Sequence, residues 1–286
     1  MTHKTRVTLN KYLNFSNKFF TYAILAVVVV IVTFPFLWMV STSFKGRTNL
    51  FIFPPQLIPP WPWRFQNYRD AFTIFPMAWG FINSSKIAII NTIGVLLSTT
   101  MAAFGFAKLR FRFKNQLFLM LLATMMIPQQ VTLIPMFAWF RNLGWIDTHL
   151  PLIVPAVLTN AYGVFLMRQF LMTIPDSLVE SAKIDGAPYP VIYARIMLPL
   201  CVPAMATLGI FTFMWNWNNF LTPLIFLQSR FNYTVPLFLM SYQSGYTNQW
   251  NLVMAAASVS VIPIIIIYIF AQRFFIQGVV LSGMKI

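Results

Sequence analysis

Six long stretches of this chain contain almost no charged side chains, and they recur along the sequence with more polar segments between them. An α-helix needs about 20 predominantly apolar residues to cross the roughly 30 Å hydrocarbon core of a bilayer. The stretches have that length and lie at about residues 20–42, 81–107, 116–138, 149–172, 200–224 and 252–274. Because backbone polar groups in lipid must be bonded within a helix or a closed barrel, the pattern predicts an all-α, polytopic membrane protein with six transmembrane helices.

The composition excludes the other classes of chain. Of the 286 residues, 58% are hydrophobic and only 9% are charged, whereas a soluble domain carries about 25% charged residues. So few charges could not cover the exterior of a soluble particle. The abundance of apolar and aromatic residues also excludes intrinsic disorder.

The net charge of +15 has two possible meanings, nucleic-acid binding or membrane topology. A nucleic-acid binder clusters its cations on one solvated face, but here they stand in short groups between apolar stretches, so no nucleic-acid partner is expected. The positive-inside rule assigns the more basic face to the cytoplasm. One predicted face carries thirteen Lys and Arg residues, at positions 4, 6, 11, 18, 108, 110, 112, 114, 168, 183, 195, 273 and 285, and the other carries Lys45, Arg47, Arg64, Arg69, Arg141 and Arg230.

This bias predicts that both termini lie in the cytoplasm. The expected organisation is a cytoplasmic tail at residues 1–19, a six-helix membrane domain at residues 20–275 and a second cytoplasmic tail at residues 276–286. The first apolar stretch follows basic residues, as in a signal peptide. It is longer than the apolar part of such a peptide and no small-residue cleavage site follows it, so we interpret it as an uncleaved first helix.

The sequence lacks the motifs of catalysis and of metal or nucleotide binding. It has no phosphate-binding GxxxxGK[ST] loop, no HExxH and no GxSxG. Cys201 is the only cysteine, and the only histidines, His3 and His149, have no second candidate ligand beside them. We therefore expect no catalytic residue, no metal site and no bound cofactor in this chain.

The segment between the fourth and fifth stretches, residues 174–199, is unusually structured for a loop. Pro175 suits the first turn of a helix, Ser177 and Glu180 have the spacing of a capping box, and Gly186 suits a helix end that needs a left-handed residue. The pattern predicts a cytoplasmic helix-turn-helix. Three of the five acidic residues of the chain, Asp176, Glu180 and Asp185, lie in it.

The spacing of residues within this loop resembles a known motif. The loop contains Glu180-Ser181-Ala182, then Asp185-Gly186-Ala187, and then Ile196-x-Leu198-Pro199, with nine residues between Gly186 and Ile196. This arrangement is similar to the EAA loop of importer-type ABC transporter permeases. Ser181 replaces an alanine, which exchanges one small residue for another. Further segments resemble the carbohydrate branch of these permeases, in particular the second permease subunit of the maltose type; they are Phe81–Lys86, Leu143–Thr148, Phe165–Phe170, Trp217–Leu224 and Gln277–Lys285.

The resemblance implies a function. The chain would be the permease subunit of an ATP-driven importer in a prokaryotic inner membrane, forming half of the pathway for a sugar or sugar derivative. Its partners would be a second permease subunit in a heterodimer, an ATPase dimer that uses ATP and Mg²⁺, an extracytoplasmic solute-binding protein and the lipid bilayer. The residues expected to couple to the ATPase are Glu180, Ser181, Ala182, Asp185, Gly186, Ala187, Ile196, Leu198 and Pro199.

A second cluster has two readings. Trp215, Asn216, Asn218 and Asn219 combine an indole face, which stacks on sugar rings, with amides that bond to hydroxyl groups. The cluster is therefore a candidate for the substrate path. The same residue types also form aromatic belts at the membrane interface and amide bonds between helices. Asn91, Thr99, Thr100, Gln129 and Gln130 carry the same two readings.

Three rival functions remain at this stage. An ion-coupled secondary transporter usually has ionisable residues inside its spans and internal repeats, but all five acidic residues here lie in predicted loops and no repeat is evident. An intramembrane enzyme would need one of the missing catalytic motifs. A structural scaffold would leave the helix-turn-helix loop without a purpose.

Overall fold

The computed structural model describes residues 3–242 and 249–283, and all regular structure in these residues is helical, which confirms the predicted all-α class. The end of the predicted C-terminal tail, residues 284–286, lies outside the described residues. The helices in chain order are α1 His3–Ser43, α2 Gln66–Thr73, α3 Met77–Lys108, α4 Lys114–Ala123, α5 Gln129–Asn142, α6 Leu150–Leu158, α7 Ala161–Met172, α8 Ser177–Ile184, α9 Tyr189–Ile192, α10 Leu198–Leu200, α11 Val202–Asn218, α12 Leu221–Phe226, α13 Val235–Ser241 and α14 Trp250–Gly283.

Four segments are long and apolar enough to cross a membrane, namely Lys18–Ser43, Met77–Lys108, Leu150–Met172 and Trp250–Phe270. Two further pairs of helices meet that criterion together but are sharply bent. The pair Lys114–Met126 and Gln129–Asn142 is bent by 94°, and the pair Tyr189–Leu200 and Val202–Asn218 by 77°. If each bent pair is one crossing, the described residues contain six spans. Proline explains both bends, because it cannot donate a helical hydrogen bond. Pro128 stands in the first break, and Pro203 is the second residue of the helix that follows the second break.

The chain divides into two compact units, Met1–Phe72 with Tyr242–Val259, and Thr73–Ser241 with Ser260–Ile286. In the first unit, the end of α1 is held by polar bonds to the segment that follows it. Asn67 Nδ2 donates to the carbonyls of Ser43 and Lys45, at 2.7 and 2.9 Å, and Asn67 Oδ1 accepts a hydrogen bond from Asn251 Nδ2 at 3.0 Å. The buried Lys45, two residues after the end of α1, donates from Nζ to the carbonyl of Gln56 at 2.6 Å. This bond connects the end of α1 to the proline-rich segment around Gln56.

In the second unit, helix α3 is the element that the others pack against, since α6, α7, α11 and α13 all contact it. Its 32 residues contain no proline, so the helix is continuous. A Cβ atom at Gly94 would lie 2.5 Å from Val157 of α6, so glycine is required for this close approach. Polar bonds reinforce the same contact, with Ser98 Oγ donating to the carbonyl of Val157 at 2.7 Å and Asn91 Nδ2 to that of Leu152 at 3.0 Å.

The carboxylate of Asp147 helps to join the turn between α5 and α6 to the segment after α12. Asp147, which has a φ of +60°, accepts hydrogen bonds from the backbone N–H groups of Gln228 and Ser229 at 2.9 and 2.8 Å, from the Ser229 hydroxyl and from Asn232 Nδ2. Partial burial acts to raise the pKa of Asp147, but these hydrogen bonds outweigh it and lower the pKa from 3.8 to about 2. The charged form is therefore part of the folded structure.

We expect Asp147→Asn to destabilise the protein by about 2 kcal/mol, the usual scale for hydrogen bonds to a charged group. Asparagine tolerates the left-handed backbone conformation, so this variant removes the charge without adding strain. The measurement is the thermal midpoint of the detergent-purified protein. Ser229→Ala removes one donor and should lower the midpoint by less, whereas equal midpoints for wild type and Asp147→Asn would contradict the assignment.

The lowered pKa of Asp147 predicts that the stability of the protein depends on pH. Because the folded-state pKa lies below the ordinary value, the carboxylate contributes stability above about pH 4, and this contribution is lost as the pH falls from about 4 towards 2. The difference in midpoint between wild type and Asp147→Asn should accordingly narrow over this range.

Candidate functional site

The segment 174–199 forms two short helices joined by a tight turn. Helix α8 ends in a Schellman motif, in which the N–H of Gly186 donates to the carbonyl of Lys183 at 3.0 Å and the N–H of Ala187 to that of Ala182 at 2.9 Å. Gly186 has a φ of +77°, the left-handed conformation that this motif requires. Pro188 then precedes α9, and a π-helical turn over Tyr193–Met197 continues into α10. The predicted helix-turn-helix is thus observed.

Helix α8 has two faces with different surroundings. Val179 and Ala182, three residues apart, are 5% and 7% exposed and belong to the hydrophobic core beneath the helix. Glu180, Ser181 and Asp185 are exposed. Of the small pair Ser181 and Ala182, only the serine therefore faces outward.

The remaining residues of the motif divide in the same way. Ala187 and Ile196 pack against the core, and Leu198 is half-buried. Gly186 and Pro199 are exposed. The outward surface of the loop is therefore narrower than the whole motif.

Sequence reasoning missed the most exposed apolar residue of this surface. Ile184, at the end of α8, is 86% exposed, and Leu178, Tyr189 and Val191 are also exposed. Ile184 lies five residues after Val179, which places it on the opposite side of the helix from the buried pair. A helical projection of residues 177–184 could have identified it. Together with Glu180, Ser181 and Asp185, these residues form an amphipathic surface, which we call the loop 174–199 ridge.

A long-range ion pair fixes the start of α8. Asp176 Oδ1 accepts from Lys108 Nζ at 2.6 Å, and this hydrogen bond and charge lower the pKa of Asp176. The predicted capping box is wrong, because α8 begins at Ser177 with Asp176 as its N-cap residue, and the Asp176 side chain makes no cap hydrogen bond. It is bonded to Lys108 instead, a partner 68 residues away that local spacing cannot reveal.

A cavity of about 660 Å³ lies in the second unit among α3, α5, α6, α7, α11 and α12. Its polar wall consists of amides and hydroxyls, and its lining contains no Asp, Glu, Lys, Arg or His within the described residues. The polar and aromatic lining residues are Thr124, Gln129, Thr132, Thr159, Asn160, Tyr162, Phe211, Thr212, Trp215, Asn216, Asn219, Thr222 and Phe226.

The four residues of the Trp-Asn cluster are not equivalent. Trp215, Asn216 and Asn219 line the cavity, whereas Asn218 is exposed, lies outside the described lining and bonds to the carbonyl of Met214. Asn216 accepts from Asn91 at 2.5 Å and donates to the carbonyl of Thr212, so its amide also joins α11 to α3. Trp215 and Asn219 thus agree with a role in the substrate path, whereas Asn216 also forms an amide bond between helices.

The other polar residues singled out earlier divide similarly. Gln129 lines the cavity, and its Nε2 donates to the Thr222 hydroxyl at 3.4 Å. Thr99 is buried and bonds to the carbonyl of Val95 in its own helix. Gln130 is exposed and is not among the described lining residues. Within the described residues, no group of three or more His, Cys, Asp or Glu side chains could hold a metal ion.

Comparison with known proteins gives a consistent family. Residues 94–280 match the family described as the binding-protein-dependent transport system inner membrane component. The chain is 32% identical over 267 residues to the arabinooligosaccharides transport system permease protein AraQ of Halalkalibacterium halodurans, covering 91% of this chain and 94% of the relative. It is 30% identical over 269 residues to the sn-glycerol-3-phosphate transport system permease protein UgpE of Yersinia enterocolitica, covering 91% and 95%.

The fold is also similar to a solved structure. A chain of a bacterial ABC transporter involved in the import of the acidic polysaccharide alginate superimposes with a TM-score of 0.78 at 19% identity. The match covers 96% of this chain and 99% of the other. At this identity the likeness concerns the fold alone.

Because the two faces of α8 have different surroundings, we expect a leucine to change the stability of the protein on one face and not on the other. Ala182→Leu should lower stability by about 1–3 kcal/mol, since it overpacks a buried position. Ser181→Leu, one residue earlier on the exposed face, should leave stability within about 0.5 kcal/mol of wild type. The thermal midpoints of the two purified variants compare them, and equal losses in both would contradict the orientation of α8.

Proposed function

Because the chain belongs to the family of binding-protein-dependent transport system inner membrane components, we propose that it forms half of the pathway through which an ATP-driven importer carries a sugar or sugar derivative. As a member of this family it is a multi-pass permease subunit of a bacterial inner membrane and has no catalytic activity of its own. ATP is hydrolysed by a separate ATPase subunit, which holds the nucleotide.

The loop 174–199 ridge is the proposed contact with that ATPase, and its exposed residues carry the proposal. An apolar residue that is 86% exposed, Ile184, stands beside the carboxylates of Glu180 and Asp185. This combination suits a groove with an apolar floor and basic or N–H donors at its edge. The buried Ala182 and the half-buried Ala187 and Ile196 support the ridge from beneath rather than contacting the partner.

The assembly proposed around this chain follows from its family. A second permease subunit completes the pathway as a heterodimer, an ATPase dimer docks on the cytoplasmic side, and a solute-binding protein delivers substrate from the other side. The excess of Lys and Arg on one predicted face supports a cytoplasmic position for both termini and for the ridge. Residues 20–275 form the proposed membrane domain, with residues 1–19 and 276–286 as the tails.

The cavity supports a neutral polyhydroxylated substrate. Amides and hydroxyls can donate to and accept from sugar hydroxyls, and Trp215 and Tyr162 offer aromatic faces. The two relatives carry the names of a neutral oligosaccharide and of a phosphate ester. The described lining has no cation to balance a phosphate or carboxylate, and an uncompensated anion in such a site is costly. We therefore favour the neutral class.

An ion-coupled secondary transporter does not agree with the family assignment, because binding-protein-dependent systems take their energy from ATP. The described cavity lining also lacks the ionisable side chains that proton and sodium relays use.

Glu180→Lys and Gly186→Val should each reduce uptake at least tenfold in cells that express the whole transporter. The first reverses a charge on the ridge, and the second forces a β-branched residue into a left-handed conformation at the end of α8. Gly144→Val is the matched control, since Gly144 has a φ of +68° and equally open surroundings but lies between α5 and α6. It should carry the same backbone strain and retain uptake. Wild-type uptake in the Glu180→Lys variant would overturn the coupling assignment.

Two pairs of neighbouring residues, one member of each lining the cavity, test whether the cavity binds the substrate. Asn219→Leu and Gln129→Leu remove polar groups from the lining, and each should reduce kcat/KM for uptake of a neutral oligosaccharide by about tenfold, the value of one hydrogen bond. Asn218→Leu and Gln130→Leu alter neighbouring residues outside the described lining and should have little effect. The probes are labelled arabinotriose and other neutral oligosaccharides, with sn-glycerol-3-phosphate as the anionic comparison. Uptake of the anion in preference to every neutral probe would contradict the neutral class.

A further inference from the structure

The last residue of α3 reaches across to the loop 174–199. The Lys108 side chain is only 3% exposed, and its Nζ donates to the carbonyl of Ile174 at 2.5 Å and to Asp176 Oδ1 at 2.6 Å. These acceptors lie on either side of Pro175, directly before α8. Lys108 therefore holds the first arm of the loop at the point where α8 begins.

The second arm of the loop is bonded to the same helix. The Tyr193 hydroxyl lies 2.7 Å from Thr100 Oγ1, and its ring packs against Phe104 with centroids 5.5 Å apart. Tyr193 opens the π-helical turn that leads into Leu198 and Pro199. Thr100, Phe104 and Lys108 are spaced by four residues, so they form one line on one face of α3.

Other cations already satisfy the end of α3, which gives Lys108 a different role. A lysine at a helix C-terminus usually bonds to the free carbonyls of its own helix. Here Lys114 Nζ donates to the carbonyls of Ala107 and Leu109, at 3.2 and 2.8 Å, and Arg168 Nε donates to that of Phe106 at 3.1 Å. Lys108 is thus directed away from its own helix and towards the loop.

The same helix also reaches the cavity. Val95 lines the cavity, and Asn91 bonds to Asn216, another lining residue. Asn91 and Lys108 are separated by about 25 Å along a helix of 1.5 Å rise per residue. Because no proline interrupts α3, a displacement at one end is carried to the other rather than absorbed at a kink.

We propose that Lys108 and Thr100 are positioning residues that attach the two arms of the loop 174–199 to helix α3, and that α3 carries movement of the loop to the cavity. This inference rests on the proposed contact between the ridge and the ATPase. The physical basis is one continuous rigid element bonded to both regions. The tethers act after the ATPase has docked, so they are separable from docking itself.

The test uses the whole transporter, purified with its own partner subunits and reconstituted in nanodiscs. In a Cys201→Ser background, Gln129→Cys supplies a thiol on the cavity wall. Its rate of modification by a charged methanethiosulfonate reagent is measured with and without ATP and vanadate, which needs no knowledge of the substrate. Co-purification of the ATPase and its rate of ATP hydrolysis are measured in parallel.

Lys108→Met should retain the ATPase and its hydrolysis but reduce the nucleotide-dependent change in modification rate at least fivefold. Tyr193→Phe, which keeps the ring against Phe104 and loses only the hydroxyl, should reduce it by a smaller factor. Lys108→Arg should restore part of the change. Lys114→Met is the matched control, because Lys114 bonds to the same end of α3 but not to the loop, and it should respond like wild type.

The outcomes distinguish the tether from the docking site. Glu180→Lys should lose the co-purified ATPase, and if it keeps the ATPase and the full response, the proposed contact between the ridge and the ATPase fails. If Glu180→Lys loses the response while Lys108→Met and Tyr193→Phe both keep it, docking stands and the tether is overturned. Asp176→Asn changes the exposed partner of the ion pair and leaves the buried Lys108 in place. A full response in this variant and in Tyr193→Phe therefore counts against the tether even if the Lys108 variants are unstable.

Discussion

In a membrane, each backbone N–H and C=O group needs a partner within the protein, and this requirement shapes the second unit of the structure. Helix α3 meets it without interruption over 32 residues, whereas the helices around it are broken. Breaks occur at Pro128, at Thr159 and Asn160 between α6 and α7, and at Asn219 between α11 and α12. Unpaired backbone groups at such breaks must face polar side chains or water.

The cavity lies where these breaks meet. Gln129, Thr159, Asn160 and Asn219 all stand at helix ends and all line it. Asn160 accepts from the N–H of Gly163 at 2.7 Å as the N-cap of α7, and the N–H of Thr222 donates to Asn219 at 3.3 Å. The polar character of the cavity is thus partly a consequence of helix breaks, because the residues that cap helices are the residues that bond to hydroxyl groups. Structure and substrate path share the same side chains.

Features of the structure that depend on local sequence pattern could be predicted, whereas features that depend on a partner far away in the sequence could not. The apolar stretches predict the all-helical class, and Gly186 with its neighbours predicts the turn after α8, since a Schellman motif is closed by residues within six positions. The capping box fails because Asp176, and not Ser177, is the N-cap residue of α8, and the Asp176 side chain bonds to the distant Lys108. The Trp-Asn cluster could not be resolved into lining and non-lining residues, because Asn218 and Asn219 differ only in where α11 ends. Trp217, in the same run, is a core residue whose Nε1 donates to the carbonyl of Ser260.

Several residues in the segments that resemble the permease family form hydrogen bonds between helices and loops. Asn83 donates to the carbonyls of Phe231 and Tyr233, at 2.7 and 3.0 Å, and Ser84 accepts from the N–H of Val235. With Asp147, these bonds fix the segment after α12 to one end of α3, while Lys108 and Thr100 bond to the loop 174–199 at the other. A helix held at both ends by polar bonds can slide or tilt only if those bonds move with it. The chain has only five acidic residues, and one of them, Asp176, forms the ion pair with Lys108 that joins the loop 174–199 to α3. Apolar packing between the two elements is thereby supplemented by a directional bond.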